Sequence, residues 1–187
     1  MTDREFLEQT EMGTPIEPAS QLCLKLDELS WNAQWITNYM NCVAHRPHIV
    51  RAIRERLTGR EIHPGVTVQP PFYAQIGIGL HFGRRVRVDQ DVHLLDVAGI
   101  HLGDDTVICC GVTVMTSLPG VQIARRDILY PLPVHIGRRG WIGPGAIILP
   151  GVVIGDGAII SPGSLVSEEV LPGTVAAGRP AHYVRDI

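Results

Sequence analysis

The strongest pattern in the chain is an aliphatic residue at every sixth position in its C-terminal part. The positions concerned are Ile136, Ile142, Ile148, Ile154, Ile160 and Val166. A period of six fits neither an α-helix nor a simple alternating strand, and it is typical of a β-helix in which three hexapeptides form one triangular turn. The aliphatic side chains are expected to fill the interior, while neighbouring turns stack about 4.8 Å apart. The pattern therefore predicts an all-β chain built as a parallel β-helix.

The same phase extends back through the middle of the chain. Its predicted inward positions are Ile76, Phe82, Val88, Leu94, Leu102, Ile108 and Val114. Two extra residues after Leu94 predict a bulge at a corner of the β-helix. The phase stops after Ser117 and resumes at Val134, so residues 118–133 are predicted to form an excursion loop outside the coils. Because the β-helix does not need this loop to close, the loop is a candidate functional element.

Helical spacing replaces the six-residue period before residue 60. Residues 1–20 predict a short helix and a loop, and apolar steps of three and four from Leu22 to Met40 predict an amphipathic helix. Pro47 and Gly59 bracket a further helix. We expect helices near 21–40 and 47–58 to cover one end of the β-helix. The predicted division is a helical N-terminal cap, 1–60, and a β-helix with a C-terminal tail, 61–187.

Composition narrows the class of protein without naming a function. The chain is 45% hydrophobic and 19% charged, with a net charge of −3, as is ordinary for a soluble protein. This charge argues against nucleic acid or a membrane surface as partner, and a small-molecule substrate is expected instead. The N-terminus lacks the apolar segment of a signal peptide, and the four cysteines lack zinc-type spacing, so we expect a cytoplasmic protein with reduced thiols and no metal.

Four short segments carry a resemblance to a known family. They are Pro70-Pro71-Phe72-Tyr73, Leu95-Asp96-Val97, Trp141-Ile142-Gly143 and Ala176-Ala177-Gly178-Arg179-Pro180. In order and spacing they resemble the maltose and galactoside O-acetyltransferases, which belong to the hexapeptide-repeat acyltransferases. The resemblance implies a left-handed β-helix and a homotrimer with active sites between subunits. It also implies acetyl-CoA, or another acyl-CoA, as a co-substrate that is not permanently bound, and a small hydroxyl or amine acceptor.

The chain departs from this family at residues that carry the chemistry. The family's catalytic histidine precedes a proline on the excursion loop. In this chain the matching residue is Leu118, or Ser117 if the alignment gap is placed differently. The loop itself contains no histidine. The family's Thr-Lys pair at the CoA phosphates appears as Ser167-Glu168, and a later arginine appears as His182. The resemblance leaves Ser167 and Arg179 as candidate CoA contacts. It leaves Gln75, Trp141 and Glu17 as candidate substrate-binding residues.

Histidines recur at the position just before the inward aliphatic residue. His81, His93, His101 and His135 all occupy it, and we expect them to form one column along an outer edge. His93 and His101 should then lie on adjacent turns, about 5 Å apart, with Asp89 placed to orient the His93 ring. A neutral imidazole is a suitable base near pH 7. We therefore take His93, His135 and Asp89 as candidate catalytic residues, whereas His81 is expected to be a plain surface residue.

Three functions remain open at this point. The first is a CoA-dependent acyltransferase in which His93 or His135 replaces the missing loop histidine. The second is an enzyme that uses the same residues without CoA, as a cyclase, isomerase or lyase, and the third is an inactive binding homologue. The γ-class carbonic anhydrases hold zinc on a similar fold, but their ligand spacing is absent here.

Overall fold

A computed structural model describes residues 1–42 and 47–187, with side chains described outside residues 43–48. The chain begins with α1 (Asp3–Glu11), α2 (Gln21–Cys42) and α3 (Pro47–Thr58), as the sequence predicts. A capping box starts α1, because the Thr2 hydroxyl accepts the Glu5 N–H and the Glu5 carboxylate accepts the Thr2 N–H. In the described part of the chain, none of the helices is long and apolar enough to cross a membrane.

Short strands follow the helices to the end of the chain. They are β1 (Thr67–Val68), β2 (Phe72–Ala74), β3 (Leu80–Phe82), β4 (Arg87–Val88), β5 (Val92–Leu95), β6 (Ile100–Leu102), β7 (Val107–Ile108), β8 (Thr113–Met115), β9 (Ser117–Pro119), β10 (Leu129–Pro131), β11 (Val134–Ile136), β12 (Trp141–Ile142), β13 (Ile147–Ile148), β14 (Val153–Ile154), β15 (Ile159–Ile160), β16 (Leu165–Val166), β17 (Thr174–Gly178) and β18 (Ala181–Asp186).

Three sheets form the faces of the β-helix. Sheet I contains β1, β4, β7, β12, β15 and β17 in parallel, with β18 added antiparallel at one end. Sheet II contains β2, β5, β8, β13 and β16, and sheet III contains β3, β6, β11 and β14. Successive strands of the coil pass from one sheet to the next, so the chain winds as a parallel β-helix. The predicted architecture is confirmed, including the N-terminal helices and the excursion loop.

The six-residue aliphatic positions fill the interior. Ile142, Ile148 and Ile160 have no exposed surface, and burial of each such side chain contributes roughly 1.5–3 kcal/mol. Met40 of α2 and Leu57 of α3 belong to the same core, together with the residues of the first coil. The hydrophobic effect therefore holds the helices against the β-helix.

The predicted inward position of Ile76 is wrong. The inward residue of that strand is Ala74, which pairs with Leu94 of the next coil and packs against the core. Ile76 lies in a separate cluster, where it is buried with Phe6 of α1 and Val97. The reason is a second two-residue bulge, after Ala74, which matches the bulge after Leu94 and shifts the phase of the first coil.

Asp96 joins the two bulges. Its carboxylate accepts the N–H groups of Gln75 at 3.0 Å, Ile76 at 2.9 Å and Gly79 at 3.0 Å. The side chain is completely buried, and this burial raises the pKa of Asp96 to about 6 although the backbone hydrogen bonds oppose the shift. A Cβ at Gly79 would collide with the Asp96 carbonyl oxygen, so only glycine allows this approach.

The excursion loop is an antiparallel hairpin. Its strands β9 and β10 are joined through a 3-10 turn, Ile123–Arg125. The segment after α1 is bonded to it, because the backbone groups of Ile16 and Leu129 exchange two hydrogen bonds of 2.9 and 3.1 Å. The N-terminal segment is therefore tied directly to the loop.

Candidate functional site

The predicted single column of histidines is wrong, because the four residues lie on two faces. His81, His101 and His135 are in register on sheet III. His93 lies on sheet II, in register with Tyr73. Three strands complete one turn, so only every third hexapeptide returns to the same face. His93 and His101 are therefore not stacked neighbours.

The three histidines of sheet III form a stack of parallel rings, which we call the histidine stack. The ring centroids of His81 and His101 are 4.3 Å apart, and those of His101 and His135 are 4.4 Å apart. The Nη1 atom of Arg60 lies 3.2 Å from both ring nitrogens of His81. On the Nε2 side, Glu11 Oε1 lies 3.9 Å from His81 and 3.7 Å from His101. His81, which we expected to be a plain surface residue, is thus part of an organised cluster.

Burial and the neighbouring positive groups keep the rings of His81 and His101 neutral near pH 7. Partial burial lowers the pKa of His81 to about 4, with further contributions from His101 and Arg60. Burial likewise lowers the pKa of His101 to about 4, with contributions from His135 and Arg60. Burial raises the pKa of Glu11. At neutral pH the His81 and His101 rings therefore carry no charge and keep one free lone pair each.

These pKa values predict that the stability of the protein depends on pH. Between pH 6.5 and about 4 the folded state binds fewer protons than the unfolded state at His81 and His101, so their contribution to stability is lost as the pH falls through this range. We expect denaturant unfolding at pH 7, 5.5 and 4.5 to show a flatter pH dependence for His101→Gln than for the wild type. The exposed His182 provides the control, and His182→Gln should keep the wild-type slope. Equal slopes for His101→Gln and the wild type would contradict the prediction.

His93 has separate partners on sheet II. Its ring stacks on Tyr73, with the centroids 4.4 Å apart, and its Nε2 atom lies 3.8 Å from Asp91 Oδ1. The Oδ1 atom of Asp89 is instead 3.3 Å from the Nε atom of Arg87. The expected pairing of Asp89 with His93 is therefore wrong, and Asp91 takes that place. Asp91 stands at the corner with a φ of 60°, directly before β5.

A groove of about 580 Å³ lies beneath the excursion hairpin. Apolar side chains of the hairpin and the coils line it, among them Leu118, Leu132 and Leu149. Its polar lining includes Arg125 and Ser167. Leu149 directly follows β13 and Ser167 directly follows β16, so the groove opens at the end of sheet II. The sequence analysis missed the groove, although the excursion loop was the signal for it.

Sequence comparison decides the family. A family model described as bacterial transferase hexapeptide (six repeats) matches residues 133–168. Nodulation protein L of Rhizobium meliloti is 36% identical over an alignment of 192 positions, which spans 96% of this chain and 96% of the relative. The chain belongs to the hexapeptide-repeat acyltransferases. The galactoside O-acetyltransferase of Escherichia coli is 34% identical over 122 residues, or 64% of this chain and 60% of that enzyme.

Solved structures of hexapeptide-repeat acyltransferases match almost the whole chain. A maltose O-acetyltransferase from Clostridium difficile has a TM-score of 0.88 at 28% identity and covers 97% of both chains. A hexapeptide-repeat acetyltransferase from Vibrio cholerae, complexed with acetyl coenzyme A, has a TM-score of 0.87 at 26% identity. It covers 100% of this chain and 98% of the other. The family that the four short segments resemble is therefore confirmed.

The other candidate residues of this hexapeptide-repeat acyltransferase are spread over the chain. Ser167 lines the groove, whereas Arg179 is exposed at the turn between β17 and β18. Trp141 lies on sheet I between Val107 and Ile159. Two further candidates lie elsewhere, Gln75 in the first bulge and the exposed Glu17 between α1 and α2. Their roles in substrate and CoA binding stay predictions.

Proposed function

We propose that this hexapeptide-repeat acyltransferase transfers an acetyl group from CoA to a small hydroxyl or amine acceptor, at sites completed between the subunits of a homotrimer. The observation that carries the proposal is the groove beneath the excursion hairpin. It joins an apolar channel to a cationic side chain at the end of the sheet that carries His93. The Vibrio cholerae relative complexed with acetyl coenzyme A supports the choice of donor.

The groove suits the two chemical parts of an acyl-CoA. Leu132 and Leu149 offer apolar walls for the pantetheine arm, and the Ser167 hydroxyl can donate to one of its amide oxygens. Arg125 offers a guanidinium for a phosphate group, a charge-assisted contact that contributes about 1.5–3 kcal/mol. The excursion hairpin thereby supplies donor binding, and not the base.

The base must come from outside the loop, because Leu118 cannot move a proton. His93 and the groove lie on the same sheet. In sheet II only β8 separates β5, which carries His93, from β13, which ends beside the groove. Two strand spacings correspond to about 10 Å, so a thioester that extends from the groove along sheet II approaches the His93 ring. His135 lies on sheet III instead. We therefore assign the proton transfer to His93.

The reaction then follows from the position of His93. Its imidazole takes the proton of the acceptor hydroxyl while the hydroxyl oxygen attacks the thioester carbonyl carbon. The tetrahedral intermediate expels the CoA thiolate, which takes the proton back from the imidazolium. Stacking on Tyr73 fixes the plane of the ring, and the Asp91 carboxylate stabilises the transient positive charge.

Calorimetric titration with acetyl-CoA tests the donor site. We expect the wild type to bind, and Arg125→Ala to weaken the affinity about 10- to 100-fold through loss of the phosphate contact. The neighbouring Arg126 serves as the control, so Arg126→Ala should change the affinity little. Absence of binding at 1 mM acetyl-CoA would reject the proposal in favour of an enzyme that works without CoA. Light scattering of the same samples tests the trimer.

A further inference from the structure

Three metal-ligand atoms converge beside the histidine stack, outside the groove. Glu11 Oε1, His81 Nε2 and His101 Nε2 all lie within 4.8 Å of one another. They come from three separate elements, because Glu11 is the last residue of α1 and the histidines lie on β3 and β6. Among the histidine, cysteine, aspartate and glutamate side chains of residues 1–42 and 49–187, no second group of this kind occurs.

We propose that Glu11, His81 and His101 bind one divalent transition-metal cation of the Zn²⁺ type, which links α1 to two coils of the β-helix. Two imidazole nitrogens and a carboxylate oxygen are donors that suit Zn²⁺ and Co²⁺. Three protein ligands leave a fourth, tetrahedral position for water. The site is independent of the proposed acyl transfer, since it lies on sheet III and the groove opens on sheet II.

The distances place the three ligand atoms close to coordination, and the ring planes decide how the side chains have to move. Glu11 Oε1 is 3.9 and 3.7 Å from the two nitrogens, and no pair in the group exceeds 4.8 Å. A point equidistant from three such atoms lies about 2.4 Å from each, and Zn²⁺ requires about 2.0–2.2 Å. Each ligand atom therefore lies less than about 0.5 Å too far out, but the His81 and His101 rings are stacked with an interplanar angle of 19°, so both rings also have to turn before their Nε2 lone pairs point at one ion.

The surroundings keep the two ligand nitrogens available. Arg60 Nη1 is equally far, 3.2 Å, from both ring nitrogens of His81, a position that cannot lie along either in-plane lone pair. His135 stacks on the other face of His101, with the ring centroids 4.4 Å apart.

Metal titration of the untagged, metal-free, full-length chain tests the site. With Zn²⁺ followed by calorimetry and Co²⁺ followed by its visible absorption, we expect one ion per chain with micromolar affinity or better. Glu11→Gln, which leaves the histidine stack intact, and His101→Ala should each weaken binding at least tenfold. His182→Ala, which removes an exposed histidine, should bind like the wild type. Zn²⁺ at 100 times its dissociation constant should shift the unfolding equilibrium of the wild type about 100-fold.

Two outcomes would overturn the proposal. One is absence of stoichiometric binding by the wild type at 100 µM Zn²⁺ or Co²⁺. The other is an affinity that Glu11→Gln leaves unchanged, since the ion would then be held by surface histidines alone. Neither readout depends on CoA, so failure of the metal site and failure of the acyltransferase proposal can be distinguished.

Discussion

Replacing His93 by alanine is expected to lower the turnover of acetyl transfer about 100-fold or more, because the acceptor hydroxyl loses its general base. The Michaelis constant for acetyl-CoA should change little, since His93 does not line the groove that we assign to the donor. Steady-state release of the CoA thiol, measured with a small hydroxyl acceptor, separates the two quantities. Asp91→Asn should have a smaller effect on turnover, because it removes the neighbouring charge and leaves the imidazole.

His135 provides the matched control for this prediction. His135→Ala removes a histidine from sheet III and should leave turnover close to that of the wild type. Leu118→His restores an imidazole at the position of the family's loop histidine. If His93→Ala keeps wild-type turnover while Leu118→His raises it, proton transfer is governed by the loop position and the assignment of His93 is wrong.

Replacing Asp96 by alanine is expected to destabilise the fold by about 3 kcal/mol or more. Three backbone N–H groups, those of Gln75, Ile76 and Gly79, would lose the carboxylate, and of these only the Gln75 N–H keeps another acceptor, the Leu94 carbonyl oxygen at 3.2 Å. Each buried donor left without a partner costs about 1–3 kcal/mol, and relief of the buried charge offsets part of the sum. Asp96→Asn should cost less, because its amide oxygen still accepts the first two N–H groups. Denaturant unfolding at pH 7 measures both losses.

An exposed aspartate with one comparable bond serves as the control. The Asp156 carboxylate accepts the N–H of Arg138 at 2.7 Å, in contact with solvent. Water can replace this acceptor, so Asp156→Ala should lose far less stability than Asp96→Ala. Equal losses in the two variants would show that the bulges do not depend on the buried carboxylate.

Apart from Ile76, the six-residue period predicted the residues that face inward, but it did not show which face of the β-helix a residue occupies. Assignment to a face needs the hexapeptides counted in threes, with every insertion added. His81 and His101 are separated by 20 residues, which is one 18-residue turn and a two-residue bulge. His101 and His135 are separated by 34, which is one turn and the 16 residues of the excursion loop. The spacing of these histidines was therefore sufficient to predict the histidine stack. The error was to place consecutive hexapeptides in one column.

Other parts of the site depend on packing that no repeat encodes. Glu11 precedes His81 by 70 residues, and it reaches the stack only because α1 packs beside sheet III. Asp91, a corner residue of positive φ, lies beside His93 in the place that we expected for Asp89. The groove forms where the excursion hairpin passes over the coils, and the six-residue period does not predict that path. The six-residue period and the spacing of the sequence predict the β-helix. Contacts between residues that are distant in the sequence determine which side chains meet in the site.

The hydrogen bonds between Ile16 and Leu129 protect an edge of the excursion hairpin. Ile16 occupies the outer side of β10, where the backbone groups of Leu129 would otherwise face solvent. A chain that began after Ile16 would expose this edge, and an unpaired edge strand invites pairing with another molecule. The N-terminal segment thus protects the hairpin against association in the wrong register.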